Sequence, residues 1–272
     1  MKTVAEALAA AARRGLPRLD AQLLLAHRLG RSRTWLLAHD ETALAPADAA
    51  WFEAAVAQRL DEVPLAYLTG EREFRGLPLA VGPGVLVPRP ETEGLVEWAL
   101  ECLQGLPAPR VADLGTGSGA IALAIASACP AARVVAVDRS EAALAVARAN
   151  GRRLGLAVDW RAGDWWAPLQ GETFDLVVSN PPYIAAGDPH LPALRHEPAS
   201  ALVAGADGLD DLRRIVAGAP ARLSPGGWLL LEHGHDQGAA VRALLQGHGL
   251  EQAVTRVDLA GLDRCSGARR IA

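Results

Sequence analysis

Cysteine, methionine, tyrosine and lysine are all scarce in this 272-residue chain, and the shortages remove several explanations at once. The three cysteines, Cys102, Cys129 and Cys265, stand far apart and form no CxxC pair. Neither a zinc site nor a disulfide framework fits that spacing, and buried thiols are the expectation. Lys2 is the only lysine, so nearly all cationic charge is arginine, a compositional bias from which no function is read. No run of about 18 uncharged apolar residues occurs, and "MKTVAEALAAAARRGLPRLD" mixes apolar residues with charges at helical spacing, unlike the core of a signal peptide. A cytoplasmic protein with no membrane partner is expected. Positive charge is short as well: the formal net charge is -4, the pI is about 6.0, and no basic cluster occurs. The footprint of a protein that grips a phosphate backbone is missing, and no stable nucleic-acid binding is expected. Internal repeats and low-complexity tracts are absent too.

What is present is a globular composition, with 50% hydrophobic and 21% charged residues. At roughly 150 residues per domain the length suggests about two domains. Residues 1–63 read as helices separated by breakers: "TVAEALAAAARRG" stops at Gly15, "LDAQLLLAHRLG" stops at Gly30, and "PADAAWFEAAVAQRL" starts at Pro46. Trp35, Trp51 and Phe52 fall inside these helical segments, where core packing is the expectation. Residues 64–90 change to short β-like runs broken by glycine and proline, a hairpin or linker. From 91 to 272 a helix with proline and acidic residues in its first turn, "PETEGLVEWALECLQ", is followed by alternating strand and helix patterns. Near-continuous apolar strands alternating with helices imply an α/β fold with a mostly parallel sheet covered on both faces. Ligands in such folds bind beyond the carboxyl ends of the strands.

At the first strand end, "VADLGTGSGAIALAIA" places Asp113 in the strand, Gly115, Gly117 and Gly119 in the turn, and then a helix predicted from Ser118. Glycines let the backbone approach a ligand, and a helix N-terminus offers free N–H groups. Gly115-x-Gly117-x-x-Ala120 also satisfies the dinucleotide fingerprint, so NAD stays open at this point. Asp138 ends the next strand, about 20 residues on, where a carboxylate can accept hydrogen bonds from both hydroxyls of a ribose. NAD and S-adenosylmethionine both carry that ribose. The plainer alternative is an aspartate that caps the following helix. In "AGDWWAPL", Asp164 and Trp165 suit the flanks of an adenine ring, while Trp165 and Trp166 equally suit a roof over the core.

The fourth strand end, "SNPPYIAAGDPH", is stiff before any substrate arrives. Asn180 precedes a proline and is pushed into an extended conformation, and Pro181 and Pro182 fix their own φ angles. Pro181 offers a carbonyl and no N–H, and the Asn180 side chain supplies a second acceptor. Two fixed acceptors suit a planar NH2 group, whose delocalised lone pair makes it a poor nucleophile. Aiming such a nitrogen is worth up to about 7–11 kcal/mol. Tyr183 would supply a flat wall. A nucleotide-like cofactor beside a poised amine nitrogen suggests a sulfonium methyl donor, with no need for a catalytic metal or a nucleophilic side chain. The plainer alternative is a strand-terminating turn, since Asn-Pro often starts one. Glu232, His233 and His235, at the end of "WLLLEHGHD", lie within reach of the same cleft, although a strand-end histidine is more often solvated than a base.

Together "DLGTGSG" and "SNPPYI" resemble the S-adenosylmethionine-dependent class I methyltransferases that act on amine nitrogen. "PLAYLTGEREF" at 64–74, "VLVPRPETE" at 85–93, "HEPASALVAGADGL" at 196–209 and "LLLEHG" at 229–234 narrow the likeness to the peptide chain release factor glutamine methyltransferases (HemK/PrmC-like). The resemblance implies a class I methyltransferase fold, a seven-stranded, mostly parallel sheet, with a small N-terminal all-helical domain that helps dock the release factor. It implies S-adenosyl-L-methionine as cofactor, S-adenosyl-L-homocysteine as product and no metal. The substrate would be the glutamine of the Gly-Gly-Gln motif in class 1 release factors, modulating translation termination. Gly115, Thr116, Gly117, Ser118, Gly119 and Asp138 match cofactor-binding positions, and Trp165 matches an aromatic beside the adenine. Asn180, Pro181, Pro182 and Tyr183 match the amide-binding motif, with Asn180 catalytic and also beside the cofactor. Glu91 and Thr92 stand as further pocket candidates beside their helix-start explanation. Two rivals remain: an adenine-N6 nucleic-acid methyltransferase, which must extrude its base, and a non-enzymatic interaction protein with a relic cofactor pocket.

Overall fold

The structure is a computed structural model that describes residues 2–271. The chain divides into two compact units, Met1–Glu71 and Arg72–Ala272. The first is helical: α1 Val4–Arg13, α2 Arg18–Leu29, α3 Arg33–Ala38, α4 Pro46–Leu60 and α5 Leu65–Thr69. Thr3 and Glu6 close a capping box at the start of α1, and Gly30 ends α2 in the left-handed conformation. Leu24, Leu25, Leu36, Phe52 and Val56 form its buried core. Trp35 and Trp51 are half-buried against that core, with the guanidinium groups of Arg31 and Arg28 over their rings at 5.4 and 5.7 Å. Helices α3 and α5 have six and five residues, too few for an apolar period to show in the sequence. The stretch expected as hairpin or linker thus begins with α5 and continues into a hairpin, β1 Glu71–Phe74 and β2 Leu77–Ala80.

The larger unit alternates helix and strand: α6 Thr92–Leu103, β3 Arg110–Leu114, α7 Ala120–Ala128, β4 Arg133–Asp138, α8 Glu141–Leu154, β5 Asp159–Ala162 and β6 Phe174–Ser179. It ends with α9 Asp210–Gly218, β7 Leu223–Glu232, α10 Gly238–Gly247, β8 Glu251–Val257 and β9 Asp263–Arg269. These strands make one seven-stranded sheet of order β5-β4-β3-β6-β7-β9-β8, parallel except for β9, which runs antiparallel to β7 and β8. The strand order reverses between β3 and β6, which opens a crevice at their carboxyl ends. Pairing is level there: Leu114 lies opposite Val137 and Ser179, and Ser179 opposite Leu231. The next residue on each strand, Gly115, Asp138, Asn180 and Glu232, therefore emerges at one height along the rim.

Both sheet faces are buried. Val111, Leu176 and Leu230 pack with Leu95, Trp98 and Leu123 on one face, while Leu114, Val177, Leu229 and Leu231 pack with Ile215 and Leu245 on the other. Strand β9 approaches β7 so closely that a Cβ at Gly267 would collide with the Leu230 side chain and the Trp98 ring, which explains a glycine in "CSGAR". Cys265 is buried, Cys102 and Cys129 are half-buried, and all three are free thiols. No helix among the described residues is long and apolar enough to cross a membrane. Because Leu230 is fully buried in the first core, Leu230→Ala is expected to lower stability by about 2–5 kcal/mol in urea unfolding; a loss well under about 1 kcal/mol would contradict this packing.

Candidate active site

Beyond the ends of β3, β4 and β5 lies a cavity of about 270 Å³, lined by Gly115, Gly117, Asp138, Asp164, Trp165 and Asn180 among others. The Asp138 carboxylate is fixed by two backbone donors at 2.8 Å, Gly117 N–H on Oδ2 and Ser140 N–H on Oδ1. Each oxygen keeps a lone pair for a further donor, so the group can take two hydroxyls without moving. Capping of α8 falls chiefly to Ser140, whose hydroxyl accepts the Ala143 N–H at 3.2 Å. Only Gly115 and Gly117 of the glycine turn reach the cavity. Thr116 turns inward and donates to Asp113 Oδ2 at 2.6 Å, helping to hold a buried carboxyl whose pKa burial pushes up to about 7. Ser118 is buried, and its carbonyl accepts from Asn150 Nδ2 at 3.0 Å. Gly119 has φ +85, and a Cβ there would press within about 3 Å of Trp160, Leu123 and Ala147. That conformation delays α7 to Ala120, two residues after the predicted start.

The two tryptophans divide the roles proposed for them. Trp165 lines the cavity and packs on Gly115, with its indole N–H donating to Asp211 Oδ1 at 3.2 Å. Its φ of 48 lies in the left-handed region, a strain of about 1–3 kcal/mol for a bulky residue, which its packing and hydrogen bond sustain. Trp166 does not line the cavity; it donates to the Ile215 carbonyl at 3.1 Å and lies so close to Gly218 that a Cβ there would collide with its ring. Asp164 also lines the cavity and pairs with Arg214.

Sequence reasoning missed the cover. Pro83–Leu86 and the segment around Pro198, Ser200 and Ala201 close over this cavity. Glu197 ties them together: buried, it accepts the Val87 N–H at 3.0 Å and pairs with the Arg89 guanidinium. Both segments stand out in the sequence only as family motifs, "VLVPRPETE" and "HEPASALVAGADGL"; nothing local joins them, since Glu197 and Val87 lie 110 positions apart.

A second cavity, about 340 Å³, adjoins the first; Arg89, Glu91, Tyr183, Glu232 and Arg264 line it, and Asn180, Leu86 and Ala201 line both. Asn180 donates from Nδ2 to Thr92 Oγ1 at 3.2 Å, which leaves its Oδ1 as a free-facing acceptor. The turn around it is anchored on every side. Ser179 Oγ donates to the Leu114 carbonyl at 2.6 Å, Gln237 Nε2 donates to the Tyr183 carbonyl at 3.0 Å, and the Tyr183 hydroxyl reaches Glu232 Oε1 at 3.4 Å. Pro181 and Pro182 are buried; Pro182 lines the first cavity and Pro181 lines neither. Burial raises the pKa of the Tyr183 hydroxyl, and the Glu232 charge adds to it. Burial likewise pushes the Glu232 carboxyl up to about 7, against the pull of the Thr92 hydroxyl, Arg264 and Tyr183.

His233 lies outside both cavities. Its Nδ1 sits 2.8 Å from the Gly234 carbonyl, which can only accept, so Nδ1 carries the proton and Nε2 accepts from Ser266 Oγ at 2.7 Å. Burial lowers its pKa and keeps it neutral. His235 is exposed, Glu91 lines the second cavity, and Thr92 is buried beneath Asn180. Among the described residues no group of three or more His, Cys, Asp or Glu is placed to hold a metal ion.

Residues 1–70 match the PrmC N-terminal domain, and residues 97–258 match the methyltransferase small domain. The chain is 56% identical to the release factor glutamine methyltransferase of Bordetella pertussis over 93% of this chain and 95% of that one. It is 54% identical to the protein of the same name from Xylella fastidiosa, with 97% of each chain covered. Among solved structures it is similar to the T. thermophilus 16S rRNA methyltransferase RsmC in complex with AdoMet and guanosine, with a TM-score of 0.56 and 24% identity over 74% of this chain and 49% of that one. That likeness shows the class I methyltransferase fold and nothing finer. Asp138→Ala is expected to weaken S-adenosylmethionine binding about tenfold or more, since a hydrogen bond to a charged group contributes about 1.5–3 kcal/mol; unchanged affinity in calorimetry would remove Asp138 from the cofactor site.

Proposed function

The chain belongs to the release factor glutamine methyltransferase family, and on that footing we propose that it methylates the side-chain amide nitrogen of the glutamine in the Gly-Gly-Gln motif of class 1 peptide chain release factors. The reaction modulates translation termination and takes place in the cytoplasm. One observation carries the reading: Asn180, an amide acceptor on a stiff turn, lines both adjoining cavities and so stands where a donor and an acceptor group would meet.

S-adenosylmethionine, when bound, supplies a methyl group on a positively charged sulfur and leaves as S-adenosylhomocysteine. The residues present suit it. Asp138 has lone pairs for the ribose hydroxyls, Trp165 offers a flat wall for the adenine, and Gly115 and Gly117 let the backbone approach closely. Asn180 Oδ1 accepts one N–H group of the glutamine amide from the cavities it lines, and the Pro181 carbonyl, which lines neither, takes the other once the substrate presses onto the turn. Holding both aims the nitrogen and would stabilise the positive charge that grows on it as the new N–C bond replaces the S–C bond; one of the two N–H protons then leaves to water, giving the neutral N-methyl amide. Tyr183 walls the amide plane. A glutamate side chain brings no N–H and repels both acceptors; a site that requires such groups can discriminate by about 10⁴–10⁵.

The helical unit that matches the PrmC N-terminal domain would help dock the release factor. An exocyclic adenine amine poses the same electronic problem, yet a net charge of -4 gives a nucleic acid no purchase. Asn180→Ala is expected to lower turnover about 100-fold or more while cofactor still binds, in line with removal of one preorganised polar group. Turnover near the wild-type value would refute the role. A labelled-methyl assay should mark wild-type release factor and spare both its Gly-Gly-Ala variant and duplex DNA; label on the DNA would overturn the substrate assignment.

A further inference from the structure

Glu232 is 1% exposed, lines the second cavity, and has an Oε2 that meets no partner at full hydrogen-bond geometry. The β6–β7 register, Ser179 opposite Leu231, sets it abreast of Asn180. Thr92, the first residue of α6 and 4% exposed, sits at the same place: its Oγ1 accepts the Asn180 NH2 at 3.2 Å, and its hydroxyl lies near enough to the Glu232 carboxylate to pull its pKa down, short of a full hydrogen bond. On its other side Glu232 receives the Tyr183 hydroxyl at 3.4 Å. One carboxylate thus holds the Tyr183 end of the turn and adjoins Thr92, which holds the Asn180 end.

A threonine hydroxyl has one proton and two lone-pair sites. With the proton turned toward an ionised Glu232, the lone pairs face Asn180, which must answer with its NH2 and present Oδ1 to the cavity. Without that acceptor the hydroxyl proton is free to turn to Asn180. The amide could then flip, presenting NH2 outward against the NH2 of a substrate.

We propose that Glu232 is the positioning residue that decides which end of the Asn180 amide faces the substrate, acting through the Thr92 hydroxyl while it holds the Tyr183 ring. The proposal rests on the methyl-acceptor reading above. Glu232 does not line the first cavity, so it acts on the acceptor and leaves the cofactor alone. The charged and titratable groups around it are Arg264 and Cys265 from β9, Glu91 before α6, and Tyr183 from the turn, with Arg89 beyond Tyr183. Burial outweighs the favourable neighbours and places the carboxyl at about 7. Above that pH Glu232 is an acceptor only. Below it the carboxyl is protonated and no longer draws the Thr92 proton as an ionised acceptor does, so that proton is free to turn to Asn180 and the ordering is lost as pH falls.

The test compares wild type, Glu232→Gln, Thr92→Val and Thr92→Ser in methylation of release factor across pH. Wild-type kcat should fall on the acid side with a midpoint near 7. Glu232→Gln should lower kcat about 10- to 100-fold, the scale of a misplaced reacting group, and lose that acid limb, while KM and S-adenosylmethionine affinity stay unchanged. Thr92→Val should reproduce the loss and Thr92→Ser should restore most of the rate. The side-chain amide resonance of Asn180, assigned by its disappearance in Asn180→Ala, should titrate with the same midpoint in wild type and not in Glu232→Gln. A Glu232→Gln enzyme with wild-type kcat and an intact acid limb, or an Asn180 signal indifferent to both pH and Glu232→Gln, overturns the proposal. Unlabelled release factor with wild-type enzyme would count against the methyl acceptor alone, because the Asn180 signal reports the network without substrate.

Discussion

Asn180 gives its NH2 to the Thr92 hydroxyl, and in the proposed reaction that hydrogen bond decides what the protein offers a substrate at the rim of the sheet. An amide is a donor at one end and an acceptor at the other; only the acceptor end suits an incoming NH2. Carboxamide nitrogen is so poor a nucleophile that orientation has to supply much of what an activating base supplies elsewhere. A side chain free to flip would present the wrong end for part of the time. The anchors at Ser179, Tyr183 and Thr92 remove that freedom before any ligand arrives, so little reorganisation is left for the reaction itself.

The parallel sheet delivers these groups to one place. Because β3, β4, β6 and β7 pair in level register, Gly115, Asp138, Asn180 and Glu232 leave the sheet at one height around the point where strand order reverses. The groups proposed for the cofactor follow β3 and β4, those proposed for the amide follow β6 and β7, and Asn180 lines both cavities. Glu197 holds the cover by joining Val87 and Arg89 to the segment before Ser200. Removing water from the site in this way strengthens every polar contact inside it. Burial of other origin raises the pKa of Glu232, beside the second cavity, and of Asp113, inside β3 beneath the glycine turn.

Much of this was legible in the sequence because it is written in local chemistry. A glycine turn after an apolar strand, an aspartate at the next strand end and Asn-Pro-Pro-Tyr at the fourth each carry their meaning within a few residues, and the alternation of strands and helices sets the sheet. What could not be read depends on distance or on small elements. Helices α3 and α5 are too short to show a period, and β9 is built from small buried residues, Cys265, Ser266, Gly267 and Ala268, in place of the branched and aromatic residues that mark a strand. Thr116, Ser118 and Gly119 belong to the fingerprint yet turn away from the cavity, a matter of φ angles and packing that spacing does not reveal. The Glu197 latch and the Thr92–Glu232 neighbourhood join residues about a hundred or more positions apart. His233 looked available from its place at a strand end; a buried hydrogen bond to Ser266 takes it out of the cleft.

On the proposed reading the site selects its substrate by what the substrate can donate. The most direct measurement is a crystal structure of the enzyme with S-adenosylhomocysteine and a Gly-Gly-Gln-bearing release factor. The account predicts the glutamine amide nitrogen within about 2.7–3.2 Å of Asn180 Oδ1, in line with the sulfur of the thioether and with the Asn180 NH2 still on Thr92. An Asn180 turned to solvent, or a glutamine seated away from the sulfur, would contradict it.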